Sequence, residues 1–581
     1  MKEKFFFPAI CFAVLSMIAC KKEGFLDQTV TSSLNEATTF SDSVNAMSFL
    51  NNIYGSIGFA TDPRRFTGNG YAAGLEASSD EAEGPNASST NGFIQFATGT
   101  VNATVVPNDA WRIPYANIRA VNQFLKHLPT IPFNATLKTQ ARAEARFLRA
   151  WYYAMMLQHY GGVPIIYDTI FTALDVIPAK RNSYQSCVNY ILSECDAAAQ
   201  DLPVTQTGAQ YGRISKGACL ALKARVLLFA ASPLFNNSGQ AKGVAGLDSI
   251  VAYPDTDPNR WRQASDAAKA VIGLNAYSLY YDSTSITGEV GYGFQRLFMQ
   301  RYNSEYILAR MMGDNKYLEG LWDAPSRGGS GGPFPYQEIV DAFPMRNGKE
   351  ITDPTSGYDP LNPYKNRDPR LNYSILHDSS FRKVFAANQA APLALYINTS
   401  INPPSAASGD AVRLGTPTGY YIFKMVDPGV INNDLANSSR VLPLIRYAEI
   451  LLNFAEATNE ADGPTVEVYQ AVEAIRRRAG LRPYQLPTGF TRDQMREVIR
   501  KERRIELAYE GHRFFDVRRW MIADNTENKL MHGLEVNRNG NRVSYKVFDV
   551  RKHNFTNAMY LWPLPLAEIA KSPELLQNPL Y

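Results

Sequence analysis

Apolar side chains recur along much of the chain at the three- and four-residue spacing of amphipathic helices. The clearest case is 139–160, in which Phe147, Trp151 and Met155 are spaced by four residues and two glycines follow the last turn. The same spacing predicts a helix that begins at Asp42 and further helices over 184–202, 216–232, 261–272, 443–459, 465–479 and 491–510. Ser215 is a suitable N-cap for one of them, and Thr491 with Gln494 forms a capping box for another.

The order of these helices indicates the fold class. They follow one another in pairs with alternating small and large residues, which is typical of stacked helical hairpins. Their period is irregular, so we expect a tetratricopeptide-like array rather than a regular one. Between 273 and 440 the helical period is lost, and β-like pieces such as 420–424 replace it. We therefore predict a mainly α fold of tetratricopeptide-like hairpins with a loop-rich insertion and few short β strands, whose two helical parts share one core.

The first residues predict export. A charged start precedes an apolar run over 5–19 that is too short to span a membrane, and Cys20 follows directly. Met17-Ile18-Ala19-Cys20 matches a bacterial lipobox, with lipidation at Cys20; the alternative is a plain cleaved signal with an incidental cysteine. A multiply acylated cysteine would anchor the protein to a membrane.

From these patterns we expect four parts of the chain. They are a signal peptide over 1–19, a lipidated tether over 20–41, an N-terminal helical region over 42–275 and a C-terminal region over 276–581 that carries ligand-face loops and closing helices.

Composition narrows the function classes. The formal net charge is only +4, and basic residues are interleaved with acidic ones, so no nucleic-acid-binding footprint is visible. Cys187, Cys195 and Cys219 are predicted to be buried and unpaired. No clustered His/Cys pattern indicates a metal or cofactor. The D-x-D-x-N spacing at 255–259 lacks the glycine and distal glutamate of a calcium loop, so a Pro-Asp turn is the default interpretation.

Several stretches resemble the SusD/RagB family of outer-membrane lipoproteins, in the expected order along nearly the whole chain. The most specific is Glu502-Arg503-Arg504-Ile505-Glu506-Leu507-Ala508-Tyr509-Glu510-Gly511-His512-Arg513-Phe514-Phe515-Asp516, which runs on to Trp520. The others are 142–164, 446–457, 475–481 and the closing segments 563–565 and 577–581, where Leu580 stands in place of the usual glycine.

This resemblance implies a function. Members of the family capture nutrients, usually glycans and sometimes peptides, and pass them to a SusC-like TonB-dependent transporter in the outer membrane. It therefore implies a non-enzymatic, lipid-anchored binding protein that faces the cell exterior. Peptide cargo, a glycosidase and a purely structural helical scaffold remain alternatives; a glycosidase would need two carboxylates about 5–10 Å apart across a cleft.

Candidate ligand contacts come from two loop segments, 68–96 and 292–336, which combine aromatic rings with amide, carboxylate and guanidinium groups. Ser79-Asp80-Glu81 resembles the step at which the family's ligand loop begins, and Trp322 falls where some members place a stacking aromatic ring. The candidates are Trp322, Asp80, Glu81, Tyr71, Asn86, Phe93 and Tyr292. For each there is a structural alternative: a buried anchor for Trp322, a solvated or loop-capping pair for the two carboxylates, and ordinary loop packing for the other aromatic residues.

The segment 502–520 also permits two interpretations. Glu510, His512 and Asp516 have the side chains needed for acid–base catalysis. However, glutamates and arginines alternate here at three- and four-residue spacing, which gives modest ion pairs along an exposed helix. We favour a structural network that locks the C-terminal helix to the body.

Overall fold

The computed structural model describes residues 35–68, 71–85, 92–172, 174–175, 177, 180–237, 239–282, 290–384, 389–572 and 574–581. Its α-helices are Glu36–Ser41, Ser43–Gly55, Gly92–Thr98, Asp109–His127, Ala135–Tyr160, Tyr184–Asp201, Lys216–Ala231, Asp248–Val251, Asn259–Ile272, Tyr292–Leu297, Glu319–Trp322, Gln337–Ala342, Arg370–Ser374, Tyr447–Asp462, Val466–Ala479, Arg492–Glu506, Arg513–Arg519, Ala523–Thr526 and Leu566–Ile569. The predicted mainly α fold is confirmed.

The strands are short apart from one hairpin. They are Phe66–Gly68, Tyr71–Ala73, Ala82–Glu83, Tyr306–Met311, Phe334–Pro335, Ile375–Leu376, Phe381–Lys383, Ala390–Pro392, Ile397–Asn398, Ser405–Ala406, Tyr421–Ile422, Val441–Arg446, Leu530–Asn539 and Arg542–Lys552. The last two form an antiparallel hairpin, which Ile397–Asn398 and Ser405–Ala406 extend to a four-stranded sheet; the other strands described form two-stranded sheets.

The long helices pack in sequence and then across the insertion. Ala135–Tyr160 contacts Tyr184–Asp201, and Lys216–Ala231 contacts Asn259–Ile272. Asn259–Ile272 in turn packs against Tyr447–Asp462, which lies beyond the loop-rich region. One hydrophobic core therefore joins the two helical parts, as predicted, and it does not follow the predicted boundary between residues 275 and 276.

A second core lies under the loop-rich region. It contains Trp322, Phe343 and Tyr421 from the insertion, together with Ile505 and Leu534 from the C-terminal part. The insertion is thus packed on its own apolar centre, and the loops on its surface rest on a rigid base.

The helix caps follow the sequence signals. The Ser215 side chain accepts a hydrogen bond from the N–H of Ala218, and the capping box of Thr491 and Gln494 is present. Two predicted helix starts are four residues off: the helix expected from residue 139 begins at Ala135, and the one expected from residue 443 begins at Tyr447. Residues 441–446 instead form a strand that pairs antiparallel with Tyr306–Met311, a tertiary contact that the helical spacing does not record.

The predicted tether over 20–41 is too long at its C-terminal end, since helix Glu36–Ser41 packs onto the body. Phe40 is buried, and its ring stacks on His127 with centroids 4.5 Å apart. The carboxylate of Glu36 lies 2.6 Å from the same imidazole. Cys20 and the signal peptide lie outside the described residues.

One further sequence expectation concerns the cysteines. Cys187, Cys195 and Cys219 are buried and are not in disulfide bonds, as predicted. The closing residues pack on the body through Trp562, Leu564 and other buried side chains. Within the described ranges, no helix is long and apolar enough to cross a membrane.

A group of buried charges, the central ion network, joins the insertion to the C-terminal helices. Its members are Glu305, Asp368, Arg370, Lys424, Arg446, Arg478, Glu502, Glu506 and Glu510. They come from helices, strands and loops that are far apart in sequence, and all of them are buried.

Glu506 is the hub of the central ion network. Its carboxylate accepts hydrogen bonds from Arg446 (2.6 Å), Arg370 (2.9 Å) and Arg478. Its backbone carbonyl accepts from Arg446 (2.6 Å) and from Lys424 (2.8 Å). Burial alone would raise the pKa of Glu506, but the surrounding guanidinium groups hold it well below its usual value.

Glu502, Glu506 and Glu510 are therefore not in the exposed ion pairs along one helix that their spacing suggested. Glu510 pairs with Arg446 and Lys424 at 2.7 Å each, and Asp516 pairs with Arg503 (2.7 Å). These pairs are tertiary contacts, which fits the structural interpretation of the segment rather than acid–base catalysis.

We expect Glu506→Gln to destabilise the protein by about 3–5 kcal/mol, because it removes the carboxylate charge that three buried guanidinium groups share. The matched control is Glu497→Gln on the same helix, where a glutamate side chain that is 60% exposed pairs with Arg500. That change should cost at most about 1 kcal/mol. Urea unfolding followed by circular dichroism measures both; equal effects would contradict the hub role of Glu506.

Candidate functional site

The two segments predicted to hold ligand contacts lie side by side. Strand Ala82–Glu83 of the first pairs antiparallel with Phe334–Pro335 of the second. The Tyr336 N–H donates to the carbonyl of Glu81 (3.1 Å), and the Tyr336 hydroxyl donates to the Glu83 carboxylate (2.7 Å). The two segments are therefore joined by buried strand pairing and hydrogen bonds.

Trp322 does not reach the protein surface. It ends helix Glu319–Trp322 and is fully buried in the second core, so neither face of its ring is open to a ligand. Buried ion pairs hold the chain on both sides: Glu319 with Arg440, and Asp323 with Arg382, each at 2.6 Å. The predicted stacking role is replaced by the alternative, a buried anchor.

Asp80 also has a buried, structural position. Its carboxylate accepts from Arg513 (2.7 and 2.8 Å) and Arg504 (3.0 Å), both in the C-terminal part of the chain. Burial alone would raise the pKa of Asp80, but the two guanidinium groups hold it well below its usual value. The ionised, buried Asp80 therefore ties the first loop segment to the C-terminal helices.

Glu81 is buried beside Asp80 but behaves differently. Burial, together with the neighbouring Asp80 charge, raises the pKa of Glu81 to about 8. Burial likewise raises the pKa of Glu76 to about 7. Both carboxyl groups are therefore largely protonated below neutral pH, and neither is exposed to a ligand in solution.

The other predicted residues divide by exposure. Phe93 is fully buried, so packing against its neighbours accounts for this residue. Tyr292 is half-buried. Tyr71 is 36% exposed on strand Tyr71–Ala73 and stays a candidate contact. Asn86 lies outside the described residues.

An exposed group of side chains centres on Arg64, which precedes the first loop segment and contacts Tyr317 of the second. Its guanidinium lies over the Tyr317 ring, 4.5 Å from the centroid, and Nη2 donates to the Tyr317 carbonyl (3.3 Å). Asp62 fixes both residues, because it accepts from the Arg64 N–H (2.8 Å) and from the Tyr317 hydroxyl, and it pairs with Arg310 (2.5 Å). An exposed guanidinium with five N–H donors is thus held in a defined orientation.

Close packing at Gly320 places the side-chain amide of Asn432 near the Arg64 guanidinium. A Cβ added to Gly320 would lie 3.2 Å from Oδ1 of Asn432 and 3.7 Å from Nη2 of Arg64. Glycine at this position therefore leaves room between the guanidinium and the amide. We call Arg64, Tyr317 and Asn432 the loop face.

Sequence reasoning missed Arg64 and Asn432. A usable signal for the first was Asp62-Pro63-Arg64, because aspartate before such a turn often accepts a hydrogen bond from the backbone two residues later. Asn432 carries no comparable local signal, since its place on the loop face depends on tertiary packing against Gly320.

The described part of the chain shows no group of three or more His, Cys, Asp or Glu side chains arranged to hold a metal ion. At 255–259, Arg260 pairs with Asp255 (3.1 Å) and Asp257 accepts from the N–H of Asn259 (2.9 Å), as in the predicted turn.

Comparison with known families matches most of the chain. The SusD family model matches residues 294–581. A second model, described as "Starch-binding associating with outer membrane", matches residues 24–228.

Individual proteins agree with these matches. SusD-like protein P2 of Formosa agariphila is 24% identical over 494 residues, which cover 83% of this chain and 82% of that protein. The crystal structure of a SusD-like protein from Bacteroides fragilis NCTC 9343 is 26% identical, with a TM-score of 0.75 and coverage of 94% of this chain and 98% of that one. A SusD superfamily protein from Parabacteroides distasonis ATCC 8503 shares the fold, at 22% identity, a TM-score of 0.61 and coverage of 94% and 100%. The chain belongs to the SusD family.

Proposed function

We propose that this protein is a non-enzymatic glycan-binding lipoprotein of the outer membrane, which captures oligosaccharides and delivers them to a SusC-like TonB-dependent transporter. The observation that carries the proposal is the exposed Arg64, whose guanidinium is held over the Tyr317 ring of the second loop segment. The description of the matching family model, starch binding with outer-membrane association, supports the same class of ligand and the same location.

The loop face suits a polyhydroxylated ligand. Arg64 offers hydrogen-bond donors in a fixed plane, and the Asn432 side chain offers both a donor and an acceptor. Because the ring and the carbonyl of Tyr317 already hold the guanidinium, little of its conformational freedom remains to be lost on binding. Tyr71, exposed on the neighbouring hairpin, would add an aromatic surface for the C–H face of a sugar.

A glycosidase is the weaker alternative. It requires a carboxylate pair that reaches the substrate. Asp80 is fully buried in ion pairs with two arginines, and Glu81 is buried with it. Their opposite pKa shifts therefore reflect folding contacts rather than an acid–base pair in a cleft.

Arg64→Ala should weaken oligosaccharide binding about tenfold or more, because hydrogen bonds to a charged donor contribute about 1.5–3 kcal/mol. Calorimetry on the purified protein with a panel of oligosaccharides measures the loss. Arg262→Ala is the matched control, since the Arg262 side chain is 57% exposed and lies on helix Asn259–Ile272. Unchanged affinity in Arg64→Ala for every oligosaccharide that the wild type binds would exclude the loop face; binding to peptides alone would favour peptide cargo.

The buried carboxyl of Glu81 predicts a pH effect on stability. Its pKa is about 8 in the folded state against an ordinary value of 4.5, so the folded protein retains a proton that the unfolded chain releases between these values. The stability contribution of Glu81 therefore falls as pH rises from about 4.5 to 8. Glu81→Gln, which mimics the protonated carboxyl, should raise Tm relative to the wild type more at pH 8 than at pH 5. An identical Tm difference at both values would contradict the assignment.

Anchoring and orientation are tested on cells. We expect Cys20→Ala to move the protein out of the membrane fraction, because the proposed lipid is attached to that sulfur. Protease added to intact cells should digest the wild type, since the proposal places it on the outer surface. Full protection in intact cells, with digestion after lysis, would place the protein on the periplasmic side instead.

A further inference from the structure

We propose that a second oligosaccharide-binding site lies in a cleft beside the N-terminus of helix Lys216–Ala231, away from the residues of the loop face. The cleft has a volume of about 360 Å³, within the range of small-molecule sites. Its walls are the connection 205–215, residues 276–277 and the start of strand Tyr306–Met311. This proposal takes its class of ligand from the proposed function, but its geometry is independent of the loop face.

Aromatic rings form the working surface of this cleft. Tyr211, Tyr277 and Tyr302 line it from three different segments. Tyr302 is 63% exposed, and its ring centroid lies 4.7 Å from that of Tyr211 at an angle of 64°. Two rings meeting at an angle give a sugar an exposed aromatic surface and a side wall.

The tyrosines are held in place by the surrounding backbone. The Tyr277 hydroxyl donates to the Val204 carbonyl (3.2 Å), and the Tyr211 hydroxyl accepts from the N–H of Asn303 (3.5 Å). The Asn303 side chain accepts from the N–H groups of Glu305 (2.9 Å) and Tyr306 (3.0 Å), and so fixes the turn that carries Tyr302.

Close approach of a helix backbone shapes the floor. A Cβ on Gly217 would lie 2.1 Å from the Tyr277 hydroxyl, so only glycine lets that ring lie across the first turn of the helix. Gly212 has φ +88°, and a Cβ there would meet the Met311 side chain at 2.3 Å. The cleft is thus built by specific packing and is not a gap between loose loops.

The charge of the cleft selects a neutral ligand. Among the described residues that line it, Arg213 alone carries a charged side chain. Its guanidinium is already bound to the Glu144 carboxylate (Nε, 3.0 Å) and to Asn51 (2.9 Å), so its charge is balanced. The remaining polar lining consists of hydroxyl and amide side chains such as Thr205 and Gln206. Aromatic rings with uncharged hydrogen-bonding groups favour an uncharged oligosaccharide over an ionic peptide.

The test compares Tyr302→Ala with Tyr302→Phe, which keeps the ring, and with Arg64→Ala. Calorimetry on the purified proteins uses maltohexaose, laminarihexaose, cellohexaose and mannohexaose as probes. For at least one probe, Tyr302→Ala should lower the affinity about three- to tenfold or remove one of two binding events. Tyr302→Phe should stay within about twofold of the wild type, and the Tyr302-dependent event should persist in Arg64→Ala.

Three results would overturn the second site. Tyr302→Ala could bind every probe as the wild type does, the wild type could bind none of them, or Tyr302→Ala could lose affinity only for unstructured peptides. Loss of binding in Arg64→Ala with unchanged binding in Tyr302→Ala would leave the proposed function standing and reject this cleft. Equal melting temperatures of the Tyr302 variants and the wild type confirm that a loss of affinity is local.

Discussion

The folded structure depends on opposite charges that are buried together. It does not depend on the chemistry of its surface. Glu506 accepts hydrogen bonds from three arginines, and each arginine belongs to a different segment of the chain. Such charges are costly to remove from water, and they are stable only when every partner is present. The helix that carries Glu506, the strand Val441–Arg446 and the insertion are therefore committed to one relative arrangement. Asp80 with Arg513, and Asp323 with Arg382, repeat the same device under the loop segments.

This frame explains how irregular loops can present a defined surface. Loops tolerate variation and carry binding residues when a rigid scaffold positions them. Here the scaffold lies directly beneath: Trp322 anchors the second core, while Arg64 is exposed above Tyr317. Trp322 and Asp80, which have side chains typical of ligand contacts, are thus buried and support the loops. Their exposed neighbours form the surface. The same separation of roles holds in the cleft lined by Tyr211, Tyr277 and Tyr302, where backbone glycines set the positions of exposed rings.

The sequence predicted local structure well because local structure depends on near neighbours. Helical spacing and the caps at Ser215 and Thr491 placed most long helices, whereas the strand Val441–Arg446 depends on pairing with Tyr306–Met311, which is distant in sequence. The long hairpin at Leu530–Lys552 was missed, although Asn539-Gly540 is a strong turn signal between strands. Burial was harder to predict. Whether Trp322 or Asp80 reaches solvent depends on what segments hundreds of residues away pack against it, and no periodic pattern records that. For the same reason Arg64, an exposed residue in a short turn, was not recognised as a site residue.

Hydrogen–deuterium exchange with and without a bound oligosaccharide tests the central claim most directly, namely that a rigid charged frame presents preformed binding surfaces. The account predicts slow exchange at amides 502–510 in both states, with new protection confined to segments that carry the binding residues, such as 62–68 and 315–320. Fast exchange at 502–510 in the free protein, followed by protection on binding, would contradict it, because the frame would then form only with the ligand.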